Sequence, residues 1–119
     1  LYIVPYDFTP VSQKALEYAL FLVKHVEIEI LLLHLAPDKP KGMVMKKKLD
    51  DLKETIKAPI GVEITALTRV GNIFTDIGKI AKEKHAQLII MGTHGKRRFQ
   101  SLTSSYASKV VTSAERTVL

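Results

Sequence analysis

The chain has 119 residues, 46% hydrophobic and 25% charged, values that suit one globular domain around one core. It carries no cysteine, which excludes disulfides and thiolate metal sites, and no apolar run approaches the roughly 20 residues of a membrane span. A net charge of +6 permits anionic partners such as nucleotides without demanding them, and a reducing cytoplasm is the expected compartment.

Tyr2 to Pro5 reads as a first strand, stopped by its proline. In the following Tyr6-Asp7-Phe8-Thr9-Pro10, Thr9 is a good helix N-cap. Pro10 falls at the first helical position, where its missing N–H costs little. A helix to about Lys24 is expected, with Val11, Ala15, Leu16, Ala19, Leu20 and Val23 on one apolar stripe. Glu27 to Leu35 is the second strand. Its run Ile30-Leu31-Leu32-Leu33 is continuous rather than alternating, as in a strand covered on both faces. Pro37 to Gly42 reads as a polar loop. Met43 to about Lys57 reads as a second helix, with lysines on its outer face. Val62 to Leu67 alternates and predicts a third strand whose polar positions suit a sheet edge. Gly71-Asn72 opens a third helix with Ile73, Ile77, Ile80 and Ala81 on one face. Leu88 to Met91 is a fourth strand. A fourth helix is expected from about Ser104 to Ser113, and Thr117-Val118-Leu119 reads as the start of a fifth strand.

Strands alternating with helices predict an α/β domain: a parallel sheet, helices on both faces, right-handed crossovers. Ligands of such sheets bind beyond the carboxyl ends of the strands, where strand order reverses. The segments there are Pro5 to Asp7, His34 to Leu35, and Met91 to Gly95. The last leads into Lys96, Arg97 and Arg98 and then into Ser101, Thr103, Ser104 and Ser105. A strand, a glycine loop and a hydroxyl-rich helix start can hold phosphate: glycines let the backbone approach, and N–H groups at a helix start point at the anion. The same two glycines also make an ordinary strand-to-helix connection.

Other pairings are weaker. His34 and His94 offer two metal ligands without a third. Asp7, His94 and Ser104 form a triad in name only, since the Gly-x-Ser-x-Gly elbow is absent. No catalytic residue is therefore assigned. Lys46-Lys47-Lys48 lacks interleaved aromatics and reads as a solvated face, not a nucleic-acid surface.

Val4-Pro5-Tyr6-Asp7-Phe8-Thr9, Ser12, Ala15-Leu16, Leu33-His34-Leu35 and above all Ile89-Ile90-Met91-Gly92-Thr93-His94-Gly95 resemble the universal stress protein family over essentially the whole chain, 1–119 as one domain. The resemblance implies a doubly wound five-stranded parallel sheet of order 3-2-1-4-5, of the adenine-nucleotide alpha-hydrolase-like type. It also implies a homodimer joined through the C-terminal strand. Family members divide into those that bind ATP and those that do not. The binders resemble Gly-x-x-Gly-x9-Gly-Ser/Thr after the fourth strand, and Gly92 and Gly95 match its first two glycines. A loop shorter by one residue puts the third glycine at Ser104 and the hydroxyl at Ser105; the unshortened spacing puts them at Ser105 and Tyr106. In both registers a serine replaces the glycine. The implied site for ATP, with magnesium, takes Pro5, Tyr6, Asp7, Leu35, Met91, Gly92, Gly95, Ser104, Ser105 and Tyr106. The implied function is a stress-response regulatory module that hydrolyses ATP slowly or not at all. The alternative is a dimeric interaction module independent of ATP.

Overall fold

The computed structural model describes residues 1–92 and 110–113, with the backbone alone for Phe74 and 110–113. The elements run β1 (Tyr2–Pro5), α1 (Pro10–Leu22), β2 (Ile28–Ala36), α2 (Lys39–Thr55), β3 (Val62–Val70), α3 (Ile73–Glu83), β4 (Leu88–Gly92) and β5 (Val110–Ser113). The strands lie in the order β3-β2-β1-β4-β5, and every pairing is parallel. No helix among the described residues is long and apolar enough to cross a membrane.

The chain steps from β1 to β2 to β3 in one direction, then returns past β1 to β4. Right-handed crossovers therefore put α1 and α2 on one face and α3 on the other. The two core clusters obey this. Val4, Ile30, Leu32, Ile64 and Ile90 pack with Ala15, Leu16 and Ala19 of α1 and Leu49 of α2. Ile3, Leu31, Leu33, Ile89 and Met91 pack with Ile77, Ile80 and Ala81 of α3. The unbroken run of β2 is explained by this sandwich: Ile30 to Leu33 are all 5% exposed or less. Burying each such side chain stabilises by about 1.5–3 kcal/mol relative to leaving it in water.

Three sequence expectations need correction. The second helix starts at Lys39, inside the segment read as a loop. Asp38 accepts a hydrogen bond from the Lys41 N–H (2.9 Å) and caps it, and Pro40 sits in its first turn. Gly42 is buried there, where a Cβ would make ordinary contact with Ala36 at 3.6 Å. The third strand runs on to Val70, since β2 pairs with it in register as far as Ala36. Val110 to Ser113, assigned above to a fourth helix, is strand β5 beside β4. Its consecutive β-branched residues Val110, Val111 and Thr112 favour extended backbone over helix. The remainder of that helix and the strand expected at Thr117 to Leu119 lie outside the described residues.

Candidate functional site

The carboxyl ends of β1, β2 and β4 meet where the strand order reverses. Pro5 is level with Leu33 of β2, and Tyr6 donates its N–H to the Leu33 carbonyl (2.8 Å). On the other side Ile3 is level with Ile89. Counting along both strands brings Gly92 level with Tyr6. Neighbouring strands run about 4.8 Å apart, so Pro5 to Asp7, His34 to Leu35 and Gly92 share one end of the sheet.

The β1–α1 turn is fixed by short polar side chains. Pro10 drives Thr9 into extended backbone (φ −93°, ψ 159°), the geometry of an N-cap. The Thr9 hydroxyl accepts from the Ser12 N–H (3.2 Å), and the Ser12 hydroxyl accepts from the Thr9 N–H (3.2 Å), closing a capping box. Ser12, buried at 5% exposure, also accepts from the Asp7 N–H (3.3 Å) and donates to the Thr9 carbonyl (3.0 Å). Asp7 Oδ1 accepts from both the N–H and the hydroxyl of Thr9. Desolvation pushes the Asp7 carboxyl up, but hydrogen bonds from Thr9, Ser12 and the backbone outweigh it and hold the group below its ordinary range. Asp7 is thus an exposed, ionised carboxylate on a rigid turn.

Tyr6 points to the α1/α2 face and is buried. Its hydroxyl donates to Gln13 Oε1 (2.6 Å), while burial, then Asp7 and Glu17, push its phenol up. The Tyr6 carbonyl meets His34 Nδ1 at 2.8 Å. A carbonyl only accepts, so Nδ1 carries the proton here. Among the described residues no cluster of three or more His, Cys, Asp or Glu could hold a metal ion. Through its bond to the Tyr6 carbonyl, His34 ties the end of β2 to the end of β1, and His94 lies outside the described residues.

Phe8 was not singled out from the sequence. It adopts φ +63°, a left-handed conformation that costs a residue with a Cβ about 1–2 kcal/mol. Its ring stands edge-on to Tyr6 (centroids 5.1 Å apart) and tilted to His34 (5.8 Å). Nothing in the local sequence signals this, because the ring contact with His34 joins the β1–α1 turn to β2.

The remaining expected residues divide clearly. Leu35 and Met91 face α3: Met91 is buried with Ile89 in that core, and Leu35 packs at its margin. Leu35 reaches the end of β3, where a Cβ on Gly71 would lie 3.6 Å from its Cδ2. Gly92 has a packing role that the sequence did not disclose. A Cβ there would lie 2.3 Å from Val11 Cγ1 and 2.4 Å from the Val11 carbonyl oxygen, so α1 reaches the end of β4 only across a glycine. Gly95, Ser104, Ser105 and Tyr106 lie outside the described residues. The structure thus brings Pro5, Tyr6, Asp7, Leu35, Met91 and Gly92 to one end of the sheet, with Tyr6 and Met91 turned into opposite cores.

Comparison with known proteins agrees with this architecture. The model of the Universal stress protein family matches residues 3–119. A search of curated proteins finds no match. Among solved structures, the hypothetical protein MJ0577 superposes with a TM-score of 0.69 at 22% identity, covering 98% of this chain and 96% of that one. Universal stress protein UspA from Lactobacillus plantarum superposes with a TM-score of 0.58 at 17% identity, covering 93% and 94%. At these identities the two structures speak for the fold, and the family model, matching nearly end to end, speaks for descent. The chain belongs to the universal stress protein family.

Proposed function

We propose that this domain is a nucleotide-dependent regulatory module of the stress response, binding ATP with magnesium at the carboxyl end of the sheet. It acts in the cytoplasm as a homodimer joined through its C-terminal strand, and binding rather than turnover is its output. The observation that carries this reading is the convergence of Asp7, Leu35 and Gly92 beside the reversal of strand order. In the proposed complex Asp7, ionised and fixed by Thr9 and Ser12, accepts hydrogen bonds from the nucleoside hydroxyls. Leu35 supplies an apolar wall and Met91 backs it from the core. The backbone around Gly92 and Gly95, with Ser104, Ser105 and Tyr106, takes the phosphates. Binding shifts the population of conformers that a partner can recognise.

A thermal titration with ATP and magnesium tests it. A ligand at 100 times its Kd stabilises by about 2.7 kcal/mol. At about 4 °C per kcal/mol for a domain of this size, Tm rises by roughly 10 °C. An unchanged Tm at millimolar ATP sinks the proposal.

One observation favours a second reading. Gly92, the first glycine of the motif, is fully accounted for by its contact with Val11, and the third is a serine. On that reading the domain is a dimeric interaction module indifferent to ATP. It then sediments as a dimer at micromolar concentration while ATP leaves its melting untouched.

A further inference from the structure

The strand β3 forms the sheet edge opposite β5, and its nine residues pair with β2 without a break from Ile28–Val62 to Ala36–Val70. Ile28 donates its N–H to the Gly61 carbonyl (3.1 Å), and Gly71 donates to the Ala36 carbonyl (2.9 Å). This phase turns the backbone of the odd-numbered residues toward β2. The backbone groups of Ile64, Ala66 and Thr68 therefore face outward, and among the described residues no strand lies beyond them. A nine-residue, proline-free edge of this kind is a template for another strand.

Its sequence, Val-Glu-Ile-Thr-Ala-Leu-Thr-Arg-Val, is self-complementary about Ala66. Reversed upon itself, it sets Val62 against Val70 and Glu63 against Arg69. The charges matter because Glu63 is level with Glu29 on β2, a like-charge pair on one face. Glu29 accepts from the Thr65 hydroxyl (2.9 Å), and among the described residues neither glutamate has an ion pair. Arg69 engages Glu83 with two of its five donors and retains the others. Val70, 53% exposed, gains an apolar neighbour in the same register.

We propose that β3 pairs antiparallel with β3 of a second copy of this chain, about a two-fold axis normal to the sheet at Ala66. Outward-facing Ile64, Ala66 and Thr68 supply the ladder hydrogen bonds. Glu63 and Arg69 fall at non-hydrogen-bonded positions, where opposing Cα atoms are about 4.5 Å apart and side chains are closest. Each Glu63 then meets Arg69 of the other copy, whereas among the described residues it has no ion pair within its own chain. This surface is independent of nucleotide and lies on the sheet edge away from the C-terminal strand.

The absence of cysteine makes a clean test possible. E63C and R69C are prepared separately, mixed at micromolar concentration, and oxidised mildly. The mixture is expected to give a disulfide-linked dimer, because a Cα separation of about 4.5 Å admits the bond. Either variant alone is expected to stay unlinked, since its two cysteines are six residues out of register, about 20 Å apart. Cross-linking should weaken at high salt when the remaining charge pair is screened. No dimer in the mixture, or as much in either variant alone, overturns the proposal. Circular dichroism of each variant confirms that the fold is intact, and a dimer joined through the C-terminal strand would leave the two cysteines far apart.

Discussion

Replacing Gly92 with alanine tests how α1 is seated on the sheet. The added Cβ would meet three atoms of Val11: Cγ1 at 2.3 Å, the carbonyl oxygen at 2.4 Å and the carbonyl carbon at 2.7 Å. Real Cβ contacts fall at about 3.4 Å or more, so the first turn of α1 must retreat by roughly 1 Å to restore contact distance. That turn holds the capping box and the Asp7 hydrogen bonds, so the displacement spreads into the β1–α1 loop. Overpacking of this kind costs about 1–3 kcal/mol, and contact with backbone belongs at the upper end. For this length, about 3 kcal/mol lowers Tm by roughly 12 °C. The assay is thermal unfolding without nucleotide, followed by circular dichroism. Adding V11A separates the two clashes: it removes Cγ1 but leaves the carbonyl, so rescue should be partial. A Gly92→Ala protein melting within about 2 °C of the parent, below 1 kcal/mol on the same scale, would refute the reasoning. Full rescue by V11A would show that the side chain, not the helix backbone, sets the approach.

Ser12→Ala removes the acceptor shared by the Asp7 and Thr9 N–H groups at a buried position, and chemical denaturation should register a loss of about 1–2 kcal/mol; a value near zero would mean that water replaces the hydroxyl without cost. Asp7 predicts an acid effect. Its folded pKa lies below the unfolded value, ordinarily 3.8, so its stabilisation is complete above that value and disappears as pH falls through the folded pKa. Asp7→Asn should flatten the acid limb of a stability-against-pH curve, and an unchanged slope below about pH 4 would contradict the sign.

Much of this architecture is legible in the chain because local and tertiary preferences agree. Thr9-Pro10 and the apolar stripe of α1 specify a helix start whatever the rest of the protein does. The continuous Ile30 to Leu33 run can be satisfied only by cover on two faces, and the two core clusters supply it. The start of α2 was obscured because its first turn, Lys39-Pro40-Lys41, carries no apolar periodicity; Asp38 was the available signal. Val110 to Ser113 failed for the opposite reason. A short apolar run reads equally as helix or strand, and pairing with β4 decides the outcome.

The candidate site separates along the same line. Its hydrogen-bonded turn is local, so Thr9 as N-cap and Asp7 at the strand end could be read from the residues, whereas Ser12 entered only with the family resemblance, without its part in the capping box. Phe8 and Gly92 could not, since their conformations answer to His34 and Val11 on other elements. This bears on how the glycine motif is to be read. Gly92 is required by the passage of α1 over the end of β4 whether or not a phosphate is bound. Its identity as glycine alone therefore does not separate a ligand site from a packing contact, whereas its position beside Asp7 and Leu35 is what the proposed site uses. The information lies at the third motif position, where the family resemblance expects a glycine and this sequence has a serine. Nucleotide binding should accordingly respond to Ser104→Gly with the fold unchanged, whereas Gly92→Ala should lower stability with or without ATP.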